Sequence, residues 1–237
     1  MKIRILYVLL LISVLINSYF IVKIIYRKYS EWKYYQSCSI QKQIPNVVYQ
    51  LNKNQLFDSL SLKPNAVIFV GDSHIQTYPT NEFFPNIITY NRGIGGDNTL
   101  GLLNRLQKIV ASKPKTIIME IGINDLLQGT TPETVIANYH KIIHDISASS
   151  PQTKIIGLSI LPTNWYVYDT QISVQSSIDI VNSSLANINN PNYIFIDLHS
   201  KLKDVNNGLA IQYDCGDRLH LNYAAYQVLT NQLLQYL

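Results

Sequence analysis

The sequence predicts an α/β fold, a parallel sheet of about five strands with helices on both faces. Three observations lead there. Five short β-branched or apolar runs recur between residues 63 and 237, helical patterns alternate with them, and polar clusters containing glycine follow three of the runs.

The first run, 66–70, leads into Gly71-Asp72-Ser73; the second, 87–90, into Asn91 to Asp97; the third, 116–121, into Gly122-Ile123-Asn124-Asp125. Runs at 154–160 and 193–198 complete the set. All are short and rich in apolar residues, as suits strands buried on both faces. A helix over 99–111 is read from Leu102, Leu103, Leu106, Ile109 and Val110, which share one side at helical spacing. Pro132, behind Thr130 and Thr131, suits the first turn of a helix over 132–147. Helical patterns at 172–188 and 223–237 follow. Open sheets of this kind bind ligands beyond the carboxyl ends of their strands. The three polar clusters are therefore expected at one rim, joined by Asp217 to His220 from the loop before the last helix.

A chain of 237 residues allows one sizeable domain and an appendage, and 47% hydrophobic with 14% charged residues argues against global disorder. Residues 1–33 hold Lys2, Arg4, Lys23, Arg27, Lys28 and Lys33 against Glu31, a net +5 of the chain's +4, which leaves −1 for the remainder. Basicity belongs to the N-terminal flanks, so nucleic-acid binding by a basic domain surface has little support.

Ile5 to Val22 form an apolar run of 18 residues interrupted by Ser13, Asn17 and Ser18. As a helix it would reach roughly 27 Å at ~1.5 Å per residue, close to a hydrocarbon core of ~30 Å. An uncleaved membrane anchor over 1–28 is expected ahead of a cleaved signal peptide, because the run leads into Lys-Ile-Ile-Tyr-Arg-Lys-Tyr rather than a small-x-small site. The cations after the run favour a cytoplasmic domain. The common use of such anchors for export argues the reverse, and an extracytoplasmic domain is the expectation. Residues 29–62 read as a juxtamembrane linker with one short helix near 50–60, and 63–237 as the catalytic domain. Cys38 and Cys215 allow at most one intramolecular disulfide, which spacing alone does not establish, and are too few for a Cys-rich metal site.

The chemistry lies in the polar clusters. A serine hydroxyl is a weak nucleophile at neutral pH unless an imidazole takes its proton, and a carboxylate fixes that imidazole's tautomer. Asp217 and His220, three residues apart, can lie on one side of a turn and deliver both groups to Ser73. Gly71-Asp72-Ser73-His74 lacks the second glycine of a Gly-x-Ser-x-Gly elbow, which makes the α/β-hydrolase fold the poorer home for such a triad.

Four blocks in order, Gly-Asp-Ser at 71–73, Gly-Gly-Asp at 95–97, Gly-Ile-Asn-Asp at 122–125 and Asp-Arg-Leu-His at 217–220, make residues 64–234 resemble the SGNH hydrolases, or GDSL esterase/lipase superfamily. The resemblance implies Ser73 as nucleophile, His220 as general base and Asp217 as its orienting partner. It also implies an oxyanion hole from the Ser73 and Gly96 backbone amides and the Asn124 side chain, without metal or organic cofactor. Loss of one such donor typically costs ~2.7 to 4 kcal/mol of transition-state stabilisation. Two departures stand out: Gly95 where the family often has Ser, and Arg218 where Gly is common. The expected whole is a three-layer flavodoxin-like fold behind an N-terminal transmembrane helix, with an ester substrate.

Plainer roles stay open. Ser73 could cap a helix, Asp72 could hold a turn, Asn124 and Asp125 could form one, and His74 could line the pocket or simply pack. His140, His144 and His199 lack convergent partners for a metal. Trp165-Tyr166-Val167-Tyr168 reads as a packed loop or a substrate-facing lid. The functional expectation is hydrolysis of short-chain or O-acetyl esters. Lysophospholipase or thioesterase activity, or an idle binding module of the same fold, are the alternatives.

Overall fold

The computed structural model describes residues 13, 17–26, 28, 29, 43–166, 170 and 172–237. Two compact units divide the chain, Met1–Pro45 and Asn46–Leu237. In the first, residues 17–26 are helical and exposed. From Gln43 onward the elements run α1 (Gln43–Ser59), β1 (Val67–Gly71), α2 (Ser73–Gln76), α3 (Thr80–Phe83), β2 (Thr89–Gly93), α4 (Thr99–Ala111) and β3 (Thr116–Glu120). They continue with α5 (Ile123–Leu127), α6 (Pro132–Ser149), β4 (Lys154–Leu158), α7 (Gln175–Ala186), β5 (Tyr193–Ile196), α8 (His199–Leu202) and α9 (Tyr223–Leu233), closed by a 3₁₀ turn at Leu234–Tyr236.

The five strands form one parallel sheet in the order β2-β1-β3-β4-β5. Successive side chains of a strand face opposite ways, and the core divides accordingly. Ile68, Val70, Ile117, Met119 and Ile155 pack with Leu102 and Leu106 of α4, Tyr139 and Ile142 of α6 and Ile178 of α7. Val67, Phe69, Ile118, Ile156 and Leu158 pack with Ile75 of α2, Leu202 of α8 and Tyr226 and Leu229 of α9. Gly71 lies in register with Gly93 on one side and Glu120 on the other, so β1, β2 and β3 end level and their following turns share one rim.

Helix ends follow local chemistry. Asn98 accepts the Gly101 amide to start α4, Thr131 accepts the Thr134 amide ahead of Pro132 in α6, and Asn222 accepts the Ala225 amide to start α9. The helix at 99–111 has the expected bounds. Strand β2 instead runs three residues beyond the apolar stretch, through Asn91, Arg92 and Gly93. Asn91 makes this possible by donating to the carbonyls of Ile75 and Tyr78, so a polar side chain is satisfied inside the sheet's margin. The four-residue helices α2, α3 and α8 are too short for apolar periodicity to announce.

One expectation is corrected. Among the described residues no helix is long and apolar enough to cross a membrane, which overturns the expected anchor and the extracytoplasmic placement built on it. Helical residues 17–26 reach about 15 Å at ~1.5 Å per residue, about half a hydrocarbon core. Residues 5–12 and 14–16 of the expected span lie outside the described residues. Within 29–62, residues 30–42 lie outside the described residues; the helix expected near 50–60 is seen as the longer α1, Gln43–Ser59, of which Tyr49, Gln50, Phe57 and Asp58 contact the sheet domain. Cys215 carries an exposed thiol, and Cys38 lies outside the described residues.

Candidate active site

The turn after β1 is tied on two sides. Asp72 accepts the His74 amide at 3.0 Å and starts α2, placing Ser73 as its first residue. Asn91 joins α2 to β2 through the two carbonyl contacts described and accepts the Gly93 amide at 2.9 Å. Gly93 permits this closeness, because a Cβ there would lie 2.2 Å from the Gln76 nitrogen.

Ser73, Asp217 and His220 are brought together. Ser73 Oγ lies 2.8 Å from His220 Nε2, and His220 Nδ1 lies 2.5 Å from Asp217 Oδ2. A ring nitrogen facing a carboxylate carries the proton, which leaves the Nε2 lone pair directed at the serine hydroxyl. Asp217 Oδ1 also accepts the amides of Leu219 at 3.0 Å and His220 at 2.8 Å. Burial alone would raise this carboxyl, but the bonds from the His220 side chain and the two amides outweigh it and hold it at about 2.

The loop carrying this pair is braced from outside. Asp214 accepts the amides of Gly216 at 2.7 Å and Arg218 at 3.0 Å. Arg218 has φ 72, the left-handed region in which glycine is at ease, which gives a reason for Gly being common there in the family. Its carbonyl accepts from the Asn164 amide and the Thr163 hydroxyl, both at 2.9 Å, so the backbone is determined on both sides. Trp165 is 9% exposed and its Nε1 donates to the Asp217 carbonyl at 2.7 Å. Trp165 therefore packs under the loop; residues 167–169 lie outside the described residues.

Gly96 follows β2 with φ 74, again the left-handed region. The preceding Gly95 amide donates to Gln76 Oε1 at 2.8 Å, which ties this loop to α2. Asn124 is buried, and its Nδ2 donates to the carbonyl of Asp97 at 2.9 Å, one residue after Gly96. Asp97 is held in turn by Arg105, whose Nε donates at 2.8 Å while its other nitrogens reach the carbonyls of Arg92 at 2.7 Å and Gly71 at 3.1 Å. Burial raises Asp97 despite this partner. Asp125 is engaged by the start of α4, accepting the amide and hydroxyl of Thr99 at 2.9 and 2.6 Å.

Beneath the serine lies a buried cluster of Asp72, His74 and Glu120. With Asp214, Cys215 and Asp217 it is one of two groups among the described residues whose ligand-type atoms come within 4.8 Å of one another. In the first, His74 uses both ring nitrogens, one of them on Glu120, while Asp72 Oδ2 and Glu120 Oε1 are buried without a hydrogen-bond partner; in the second, Asp214 and Asp217 accept backbone amides. Glu120, Arg105 and Gln76 were not singled out from the sequence. Each sits in an ordinary strand, helix or loop pattern and acquires its contact only when distant segments meet.

Residues 69–228 match the model of the GDSL-like Lipase/Acylhydrolase family. Among curated proteins, platelet-activating factor acetylhydrolase IB subunit alpha1 of Pongo abelii is 28% identical over 180 residues, which is 71% of this chain and 73% of that protein. The alpha2 subunit of Gallus gallus is 29% identical over 186 residues, 76% and 79% respectively. Among solved structures, a candidate platelet activating factor from Streptococcus pneumonia has a TM-score of 0.68 at 28% identity, over 81% of this chain and 92% of its own. A GDSL-like lipase from Bacteroides thetaiotaomicron has a TM-score of 0.68 at 18% identity, over 78% and 95%, a likeness of fold alone.

Proposed function

The chain belongs to the GDSL-like lipase/acylhydrolase family, and on that premise we propose a serine ester hydrolase that works through an acyl-enzyme on a three-layer flavodoxin-like frame. The observation that carries this reading is the unbroken run of hydrogen bonds from Ser73 through His220 to Asp217. His220 Nε2 takes the hydroxyl proton as Ser73 Oγ attacks the ester carbonyl, and Asp217 stabilises the imidazolium that forms. The oxyanion is received by the Ser73 and Gly96 amides and by Asn124, whose second Nδ2 hydrogen is not needed by Asp97. His220 returns its proton to the departing alcohol, and water repeats the sequence to release the acid.

Short acyl groups, acetyl first, are the proposed substrates, with a glycan as the first carrier considered. The names of the curated relatives favour a second reading, an acetyl group on a lipid. Hydrolysis of p-nitrophenyl acetate by the full chain, beside Ser73→Ala and His220→Ala, tests the activity: equal rates in all three refute it. A series from acetyl to dodecanoyl esters, run with acetylated xylan and with a 2-acetyl phospholipid, then separates the carriers.

A further inference from the structure

His74 follows Ser73 directly, is 2% exposed, and takes no part in the proton transfers above. Its Nε2 lies 3.0 Å from the carbonyl of Leu219. A carbonyl can only accept, so that nitrogen carries a proton. Its Nδ1 lies 3.2 Å from Glu120 Oε2 and 3.8 Å from Asp72 Oδ1. The main chain of His74 is fixed as well: Asp72 accepts its amide, and the Tyr226 hydroxyl donates to its carbonyl at 2.8 Å.

The Leu219 carbonyl belongs to the peptide group that joins Leu219 to His220. The other polar atom of that group, the His220 amide, is held by Asp217 at 2.8 Å. One peptide, the last rigid unit before the His220 side chain, is thus gripped by Asp217 on one edge and by His74 on the other. The rings of His74 and His220 meet edge to face, with centroids 5.8 Å apart.

We propose that His74 is a positioning residue: braced by Glu120, it reaches from the serine turn to the Leu219 carbonyl and sets the His220 ring at hydrogen-bonding distance from Ser73. This rests on the hydrolase reading, in which Ser73 and His220 react. Filling the space with an apolar side chain would avoid the cost of burying three titratable groups. The polar cluster adds what leucine lacks, a directional contact from one reacting segment to the other. Burial disfavours the His74 cation, but Glu120 and then Asp72 outweigh it and raise the group to about 9, so both ring nitrogens keep their protons at neutral pH.

Glutamine and asparagine separate this role from simple filling. In His74→Gln the amide nitrogen can occupy the place of Nε2 and still donate to Leu219, whereas in His74→Asn it reaches only the place of Nδ1. The expected result is a kcat for p-nitrophenyl acetate about a hundredfold below wild type in His74→Asn and within about tenfold in His74→Gln, with KM little changed in both. Active sites are counted by fluorophosphonate labelling and folding is followed by thermal unfolding. Equal kcat in the two variants, or a loss confined to KM, overturns the proposal. Should neither fold, Glu120→Gln, which can donate to Nδ1 and keep the Nε2 proton on Leu219, is expected to retain kcat that Glu120→Leu loses; the same kcat in both is the overturning result. A wild-type chain that neither labels nor turns over refutes the hydrolase reading itself, an outcome distinct from either of these.

Discussion

The indole Nε1 of Trp165 donates a 2.7 Å hydrogen bond to the backbone carbonyl of Asp217, while the carboxylate of the same aspartate faces His220. Thr163 and Asn164 hold the next carbonyl, that of Arg218. Three consecutive residues after β4 therefore clamp two consecutive peptides of the loop that bears the proposed orienting acid. Trp165→Phe keeps the buried ring and removes the donor. It is expected to cost about 1 kcal/mol in urea unfolding and to lower kcat for p-nitrophenyl acetate about tenfold through a looser loop. An unchanged kcat with reduced stability would reduce Trp165 to a packing residue.

That clamp also shows where the sequence is mute. Alternating runs and patterns reveal the sheet because burial imposes periods of two and 3.6 on the chain itself. Asp217 and His220 are legible as a pair because three residues of one loop separate them, and the bounds of α4 because Asn98 caps it locally. The bonds of Trp165 to Asp217 and of His74 to Leu219 span 52 and 145 residues and leave no local pattern. Short helix α2 escapes for a related reason: it is made by the Asp72 cap and contacts from β2 and α9, rather than by an apolar stripe.

The Asp217 carboxyl, at about 2, lies below the ordinary value of ~3.9 that it regains on unfolding. A depressed carboxyl adds stability that is present above the unfolded value and is lost as pH falls through the folded one. Asp72, Asp97 and Asp125 are raised, with burial the largest cause, and act in the opposite sense. The contribution of Asp217 therefore has to be read against Asp217→Asn. The stability gap between wild type and this variant is expected to hold from neutral pH to about 5 and to narrow between about 4 and 2. Urea unfolding at a series of pH values measures it, and a gap constant down to pH 2 would contradict the assignment.

Arg105 links Asp97 to the ends of two strands through the Arg92 and Gly71 carbonyls, and both charged side chains are over nine-tenths buried. Arg105→Met strands a buried carboxylate and is expected to cost about 3 to 5 kcal/mol. Adding Asp97→Asn removes the stranded charge and should recover part of that stability. It should not recover kcat, because the contacts that hold β1 and β2 at their ends stay lost. Chemical denaturation together with turnover separates the two effects, and full recovery of kcat in the double variant would place the importance of Arg105 in charge balance alone.

Gln76 makes the link between the serine turn and the loop of Gly96. Its Oε1 accepts from the Gly95 amide at 2.8 Å and from the Tyr49 hydroxyl of α1 at 2.7 Å, while Gln50 of α1 donates to the Gly95 carbonyl at 3.4 Å. Gly95 is thereby held at its amide, in the peptide from Ile94, and at its carbonyl, in the peptide that carries the Gly96 amide, and the direction of the Gly96 amide follows from that grip. Gln76→Leu removes the acceptor common to both donors and is expected to lower kcat about tenfold, a fraction of the loss of a whole oxyanion donor. Gln76→Glu keeps an acceptor at the same place and should stay near wild type. Tyr49→Phe leaves the Gly95 bond intact and should change kcat about twofold at most, since one exposed hydrogen bond contributes little. If Tyr49→Phe matched Gln76→Leu, the support for the loop would lie in the docking of α1, and Gln76 would act only as its anchor point.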